Sequence, residues 1–96
     1  MANYLVERYM PGATYEQLVA AVGRLAAVTH KMRQNGIEVQ HVTSTFVPAE
    51  EACFCSFEAL SEEAVRYANE QAVWPHARIL EVVVVAAKPD EEESHA

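Results

Sequence analysis

Two cysteines stand two residues apart in the stretch "ACFCSFEA", residues 52–59, with Glu58 close behind them. Thiolates select thiophilic metals, and a pair of thiols can also cycle to a disulfide. A strand over these residues turns Cys53 and Cys55 to one face, where neighbouring thiols would need strained geometry to form a disulfide, which argues against a redox pair. A C-x-C spacing alone does not make a structural zinc site. Such sites take two cysteine pairs, or a cysteine pair and a histidine pair, and the chain has two cysteines in all. A buried cysteine also serves as a small hydrophobe.

The metal reading gains from what is expected opposite. Ordinary antiparallel pairing of the first and third strands brings Glu7 close to Cys55, and His41 and Thr43 approach the same strand from its hairpin partner. A carboxylate, an imidazole and a thiolate on one face suit nickel, zinc or copper rather than magnesium. The same side chains can instead form a polar network inside a dimer cavity. An enzyme would use His41, Glu7 or Tyr9 there as acid or base, in the manner of small cofactor-independent oxygenases and cyclases. No nucleophile triad, P-loop, G-x-G-x-x-G or H-E-x-x-H is present to favour that reading. A structural or interaction module is the third possibility. Glu58 can also pair with Arg66 or cap the second helix, Trp74 anchors that helix's end by burial, Asn69 lies on that helix, where exposure is the simpler account, and His76 follows Pro75 in a loop as a ligand or a solvated side chain.

These residues need elements to place them. "NYLVERY" (3–9) is β-prone, and "MPGAT" breaks it. Thr14 and Gln17 form a capping box for a helix carrying Leu18, Val22, Leu25, Thr29 and Met32 on one stripe, with Gly36 as its left-handed end. "IEVQHVTSTFV" (37–47) and the stretch from residue 52 to 58 form a hairpin through Pro48–Glu51. Ser61 caps a second helix whose buried stripe is Ala64, Val65, Ala68 and Ala72; Pro75 ends it, and "RILEVVVVA" (78–86) is the last strand.

The order βαββαβ predicts an α+β, ferredoxin-like sandwich: a four-stranded antiparallel sheet with two helices on one face and the first and third strands central. Alternation assigns Tyr4, Val6, Ser44, Phe46, Phe54, Ser56, Leu80 and Val82 to the helix side. Leu5, Glu7, Tyr9, His41, Thr43, Cys53, Cys55, Phe57 and Ile79 then share the open face. The last strand is apolar on both faces although it lies at an edge. It therefore needs a cover, and a homodimer packing open face on open face, a dimeric α/β-barrel-like assembly with a cavity between the sheets, supplies one.

The 96 residues suffice for one domain, expected over 1–87, with 88–96 a disordered acidic tail. The formal charge is −7, of which "DEEE" at 90–93 supplies four negatives. Without a basic patch, nucleic acid and membrane are not expected as partners. The N-terminus lacks the features of a secretory signal, which points to the cytoplasm and to reduced thiols.

The runs "YLVERYMPGAT", "FCSFEALSEEAVRYANEQA" and "ILEV" resemble a family of small bacterial proteins, catalogued as a domain of unknown function, that includes a nickel-responsive actinobacterial member. The resemblance spans residues 3–85 and rests on E-R-x-x-P-G and F-C-x-x-E-A elements. It implies a ferredoxin-like dimer and, for one branch, nickel binding. The matching positions are Glu7, Arg8, Cys55, Glu58 and Asn69, while Trp74-Pro75 and His41 depart from the family's pattern. The candidate metal set is thus Glu7, His41, Cys55 and Glu58, with Tyr9, Thr43, Cys53, Asn69 and His76 lining the ligand cavity.

Overall fold

A computed structural model describes residues 1–87; the expected acidic tail, 88–96, lies outside the described residues. In chain order the elements are β1 (Ala2–Tyr9), α1 (Tyr15–Gln34), β2 (Val39–Val47), a 3-10 turn (Pro48–Glu50), β3 (Ala52–Ala59), α2 (Glu62–Gln71) and β4 (Arg78–Val82). The strands form one antiparallel sheet in the order β2-β3-β1-β4, so β1 and β3 are central, in the expected ferredoxin-like arrangement.

Local chemistry sets the helix boundaries. Gln17 N donates to Thr14 Oγ1 at 3.1 Å and Thr14 N to Gln17 Oε1 at 2.9 Å, closing the capping box of α1. At the other end Lys31 and Arg33 face the negative pole of the helix, and Gly36, at φ 83°, supplies the left-handed turn into β2. Ser61 Oγ accepts from Ala64 N at the start of α2. Arg66 pairs with Glu62 one turn earlier rather than with Glu58, which stands exposed at the end of β3. Ala21, Leu25, Thr29 and Met32 of α1 and Ala64, Val65, Ala68 and Asn69 of α2 pack on the sheet.

The sorting of sheet faces differs from the expected one. Tyr4 pairs with Phe57, Val6 with Cys55 and Arg8 with Cys53, so Cys53, Cys55 and Phe57 face the helices with the buried residues of β1. Phe54 and Ser56 lie on the open face instead, as does Leu80, which pairs with Leu5. Of the two alternating sets of β3, Cys53, Cys55, Phe57 and Ala59 are apolar throughout while Ala52, Phe54, Ser56 and Glu58 include two polar residues, so the wholly apolar set is the one buried against the helices. In β2 a bulge between His41 and Thr43 shifts the pleat by one residue. It turns both His41 and Ser44 toward the helices, while Thr43 stays on the open face, its hydroxyl 2.7 Å from that of Ser56.

β4 is shorter than expected. Because Val82 pairs with Asn3, only Ala2 of β1 lies beyond that pair, and the strand ends at Val82. Val83, Val84 and Val85 are 88%, 66% and 85% exposed.

Candidate metal centre

The residues that converge are on the helix side of β1, β2 and β3. Cys53 Sγ and Cys55 Sγ are 3.9 Å apart, both free thiols with 1% and 0% of their surface exposed. Ser44 Oγ donates to Cys55 Sγ at 3.0 Å, and His41 Nε2 lies 2.8 Å from Ser44 Oγ and 3.1 Å from the Thr43 carbonyl oxygen. That carbonyl can only accept, so His41 Nε2 carries the proton, and the Ser44 hydroxyl relays donation from imidazole to sulfur. The imidazole packs on Phe57 with ring centroids 5.1 Å apart. Burial is the main cause pushing the His41 pKa below the ordinary value, with a contribution from the Arg8 charge. Burial pushes the Cys53 thiol up to about 12, with neighbouring Cys55 adding to it.

Beneath the thiols lies Arg8, fully buried. Its Nη1 donates to the Trp74 carbonyl at 2.7 Å and its Nη2 to Asn69 Oδ1, while Asn69 Nδ2 donates to the Val65 carbonyl at 2.8 Å. The guanidinium lies over the Trp74 ring. Burial is the main cause lowering the Arg8 pKa, and Cys55 and Cys53 are the groups that oppose it. Among the described residues no carboxylate lies within ion-pair distance of Arg8, and its Nε has no acceptor. Alternation placed Tyr4 and Val6 on the helix side; continued one step, it puts Arg8 there too, and that signal marks the one fully buried cation among the described residues.

The expected ligand set does not come together. Glu7 sits on the open face, across the sheet from Cys55, because it pairs with Phe54 while Val6 pairs with Cys55. There Glu7 Oε1 accepts from Arg78 Nε at 2.5 Å and Oε2 from the Tyr9 hydroxyl at 3.1 Å, and these bonds, that to Arg78 foremost, hold its carboxyl below the usual range. Glu58 is on that same face, paired with Asn3. His41 and Glu7, the expected acid and base of a single cavity, are likewise separated by the sheet. Tyr9 and Thr43 belong to the open face. Asn69 serves Arg8, and His76 borders a shallow crevice of about 370 Å³ formed with Trp74, Val73 and Asn69.

The donors that do come together are fewer than the expected set. Among the described residues no three His, Cys, Asp or Glu side chains converge on one point. Two sulfurs do, and the His41 nitrogen stands one hydroxyl away from them. Bringing it into a ligand shell requires Ser44 Oγ to move aside or to ligate, and the ring proton to pass to Nδ1. The nearest opening is a groove of about 650 Å³, lined by Tyr15, Leu18, Val19 and Val22 of α1 and by Ser44, Phe46, Pro48 and Cys53, and Cys53 borders it although only 1% of that residue is exposed.

No helix among the described residues is long and apolar enough to cross a membrane. No curated protein matches the chain. The crystal structure of SCO4226 from Streptomyces coelicolor A3(2) is similar to it at 28% identity and a TM-score of 0.77, covering 88% of this chain and 100% of that one. The match to the family described as nickel responsive protein SCO4226-like runs over residues 4–82, from within β1 to the last residue of β4, and the chain belongs to that family.

Proposed function

We propose that this protein binds a transition metal, nickel, through nitrogen and sulfur donors on the helix side of β2 and β3, and that it does so as a cytoplasmic homodimer. The carrying observation is the line His41 Nε2, Ser44 Oγ, Cys55 Sγ, at 2.8 and 3.0 Å, with Cys53 Sγ 3.9 Å further on. Imidazole and thiolate suit nickel, copper and zinc. Membership of a family named for nickel response supports nickel among these. Glu7 and Glu58 take no part in this set, since the sheet separates Glu7 from the thiols and Glu58 shares its face.

The homodimer reading is supported by the open face and by the end of the chain's last strand. Leu5, Phe54, Leu80 and Val82 share an uncovered sheet face, and three exposed valines follow it. A second copy packed on this face removes that apolar surface from water. The reducing cytoplasm keeps both thiols available to a metal.

The test is calorimetric titration of metal-stripped, tag-free protein with nickel, beside Cys55→Ala and His41→Ala, with sedimentation of each. The expected result is saturable binding by the parent, its loss in both variants, and an unchanged dimer. Binding that survives both substitutions overturns the site.

A further inference from the structure

We infer that the Cys53–Cys55 pair is a site for a thiophilic monovalent cation, copper(I), held as a dithiolate with Arg8 as the buried counter-charge. The inference rests on the metal-binding reading above and names the ion this part of the site takes best.

Geometry comes first. With metal–sulfur bonds of about 2.3 Å, two thiolates on one ion stand about 4.0 Å apart at the trigonal angle of a three-coordinate ion, with His41 as third donor, against about 4.6 Å in a linear two-coordinate one. The sulfurs are already at 3.9 Å. Only a pair of strong donors stands in place, with His41 one hydroxyl removed. Copper(I) is satisfied by two or three soft ligands, whereas nickel(II) asks for at least four and has to add water or a further side chain to these donors.

Charge decides more sharply. Arg8 is a buried cation whose Nε lacks an acceptor and which has no carboxylate partner among the described residues. A nickel(II) ion with two thiolates and a neutral imidazole carries no net charge, so it leaves the Arg8 charge uncompensated in the core. Copper(I) with the same ligands carries a single negative charge. Beside the guanidinium it makes a neutral pair, the arrangement that burial favours. The exchange balances: one copper(I) ion and two thiols give one copper dithiolate anion and two released protons, with no change of oxidation state. The ion enters from the groove that Cys53 and Ser44 border.

Preference for copper(I) in a flask is compatible with a nickel response in a cell, where metal availability rather than raw affinity selects the occupant.

The experiment titrates reduced, metal-free full chain, without oxygen, with copper(I) supplied as its coloured bicinchoninate complex. The expected result is withdrawal of one copper(I) per chain, expulsion of bound nickel by copper(I), and no displacement of copper(I) by excess nickel. Cys53→Ser and Cys55→Ser each abolish the withdrawal. Arg8→Met weakens copper(I) binding by about 10–100-fold, the usual effect of removing an outer-shell partner, and Arg8→Lys, which keeps the charge, weakens it less. Should Arg8→Met fail to fold, the serine variants and the nickel competition still decide. Failure to withdraw copper(I), withdrawal unaffected by both serine variants, or nickel retained against copper(I) overturns the inference. Nickel binding lost in Cys55→Ala but copper(I) refused leaves the metal site standing and removes only this inference. Nickel binding indifferent to Cys55→Ala and His41→Ala removes the proposed nickel site, whatever copper(I) does.

Discussion

The guanidinium carbon of Arg8 stands 3.8 Å from the centroid of the Trp74 ring, and the same guanidinium donates to the Trp74 carbonyl. One side chain of β1 thus holds both the ring and the backbone of the segment linking α2 to β4. Because the cation is fully buried, each of its bonds is made where water cannot replace it.

Arg8→Met leaves the Trp74 carbonyl and Asn69 Oδ1 without donors. At about 1–3 kcal/mol for each unsatisfied buried acceptor, the expected loss is roughly 2–6 kcal/mol. Urea unfolding checks it, with an unchanged denaturant slope showing that the compact fold persists. A loss under about 0.5 kcal/mol, the range of ordinary surface substitutions, would mean that these bonds do not hold the segment.

Val73 ends α2 in the left-handed region, at φ 53°, with its side chain exposed. A β-branched residue is strained there, and the helix-ending bonds from Val73 N to the Glu70 carbonyl and from Trp74 N to the Asn69 carbonyl hold it in place. Val73→Gly relieves the strain and should stabilise by about 1 kcal/mol, a melting shift on the order of 4–8 °C for a domain of this size. Val73→Ala, which keeps a Cβ, should gain clearly less. Equal melting temperatures for the glycine variant and the parent would count against strain at this position.

Glu7 carries the acid sensitivity of the open face. Its folded pKa lies below the ordinary 4.5, chiefly through the Arg78 bond, so its contribution is fully present above that pH and is lost as pH falls through the folded value. Glu7→Gln should therefore be less stable than the parent at neutral pH and converge on it in acid. Parallel stability curves for the two proteins from neutral pH into acid would show that Glu7 makes no such contribution.

The thiols should be silent in the native state. Both are buried away from reagents, and Cys53 is raised to about 12, so its thiolate is scarce at neutral pH. An aromatic disulfide reagent should label two thiols per chain in denaturant and react far more slowly without it. Rapid native labelling would show that the groove opens more widely to solvent than the packed structure does.

Much of the architecture was legible from local chemistry. Thr14 with Gln17, Ser61 and Gly36 mark helix ends because each meets a backbone need that arises within a few residues. The order of elements then leads to the sheet topology, since two helices returning the chain to one antiparallel sheet leave few alternatives. Which residues share a face was legible only in part. Cys53, Cys55, Phe57 and Ala59 form the wholly apolar set of β3, a signal for burial that a ligand reading of the cysteines sets aside, whereas the bulge at His41 changes the pleat at a place no spacing announces. That one-residue shift brings Ser44 between His41 and Cys55, while the register of β1 sends Glu7 to the far side of the sheet and Arg8 beneath the thiols. By itself the sequence determined the elements, their order and the sulfur and imidazole donors, because propensity and capping act locally. Only the tertiary structure decided which donors meet and which charge they meet, because strand register and face are set by burial summed over the whole sheet.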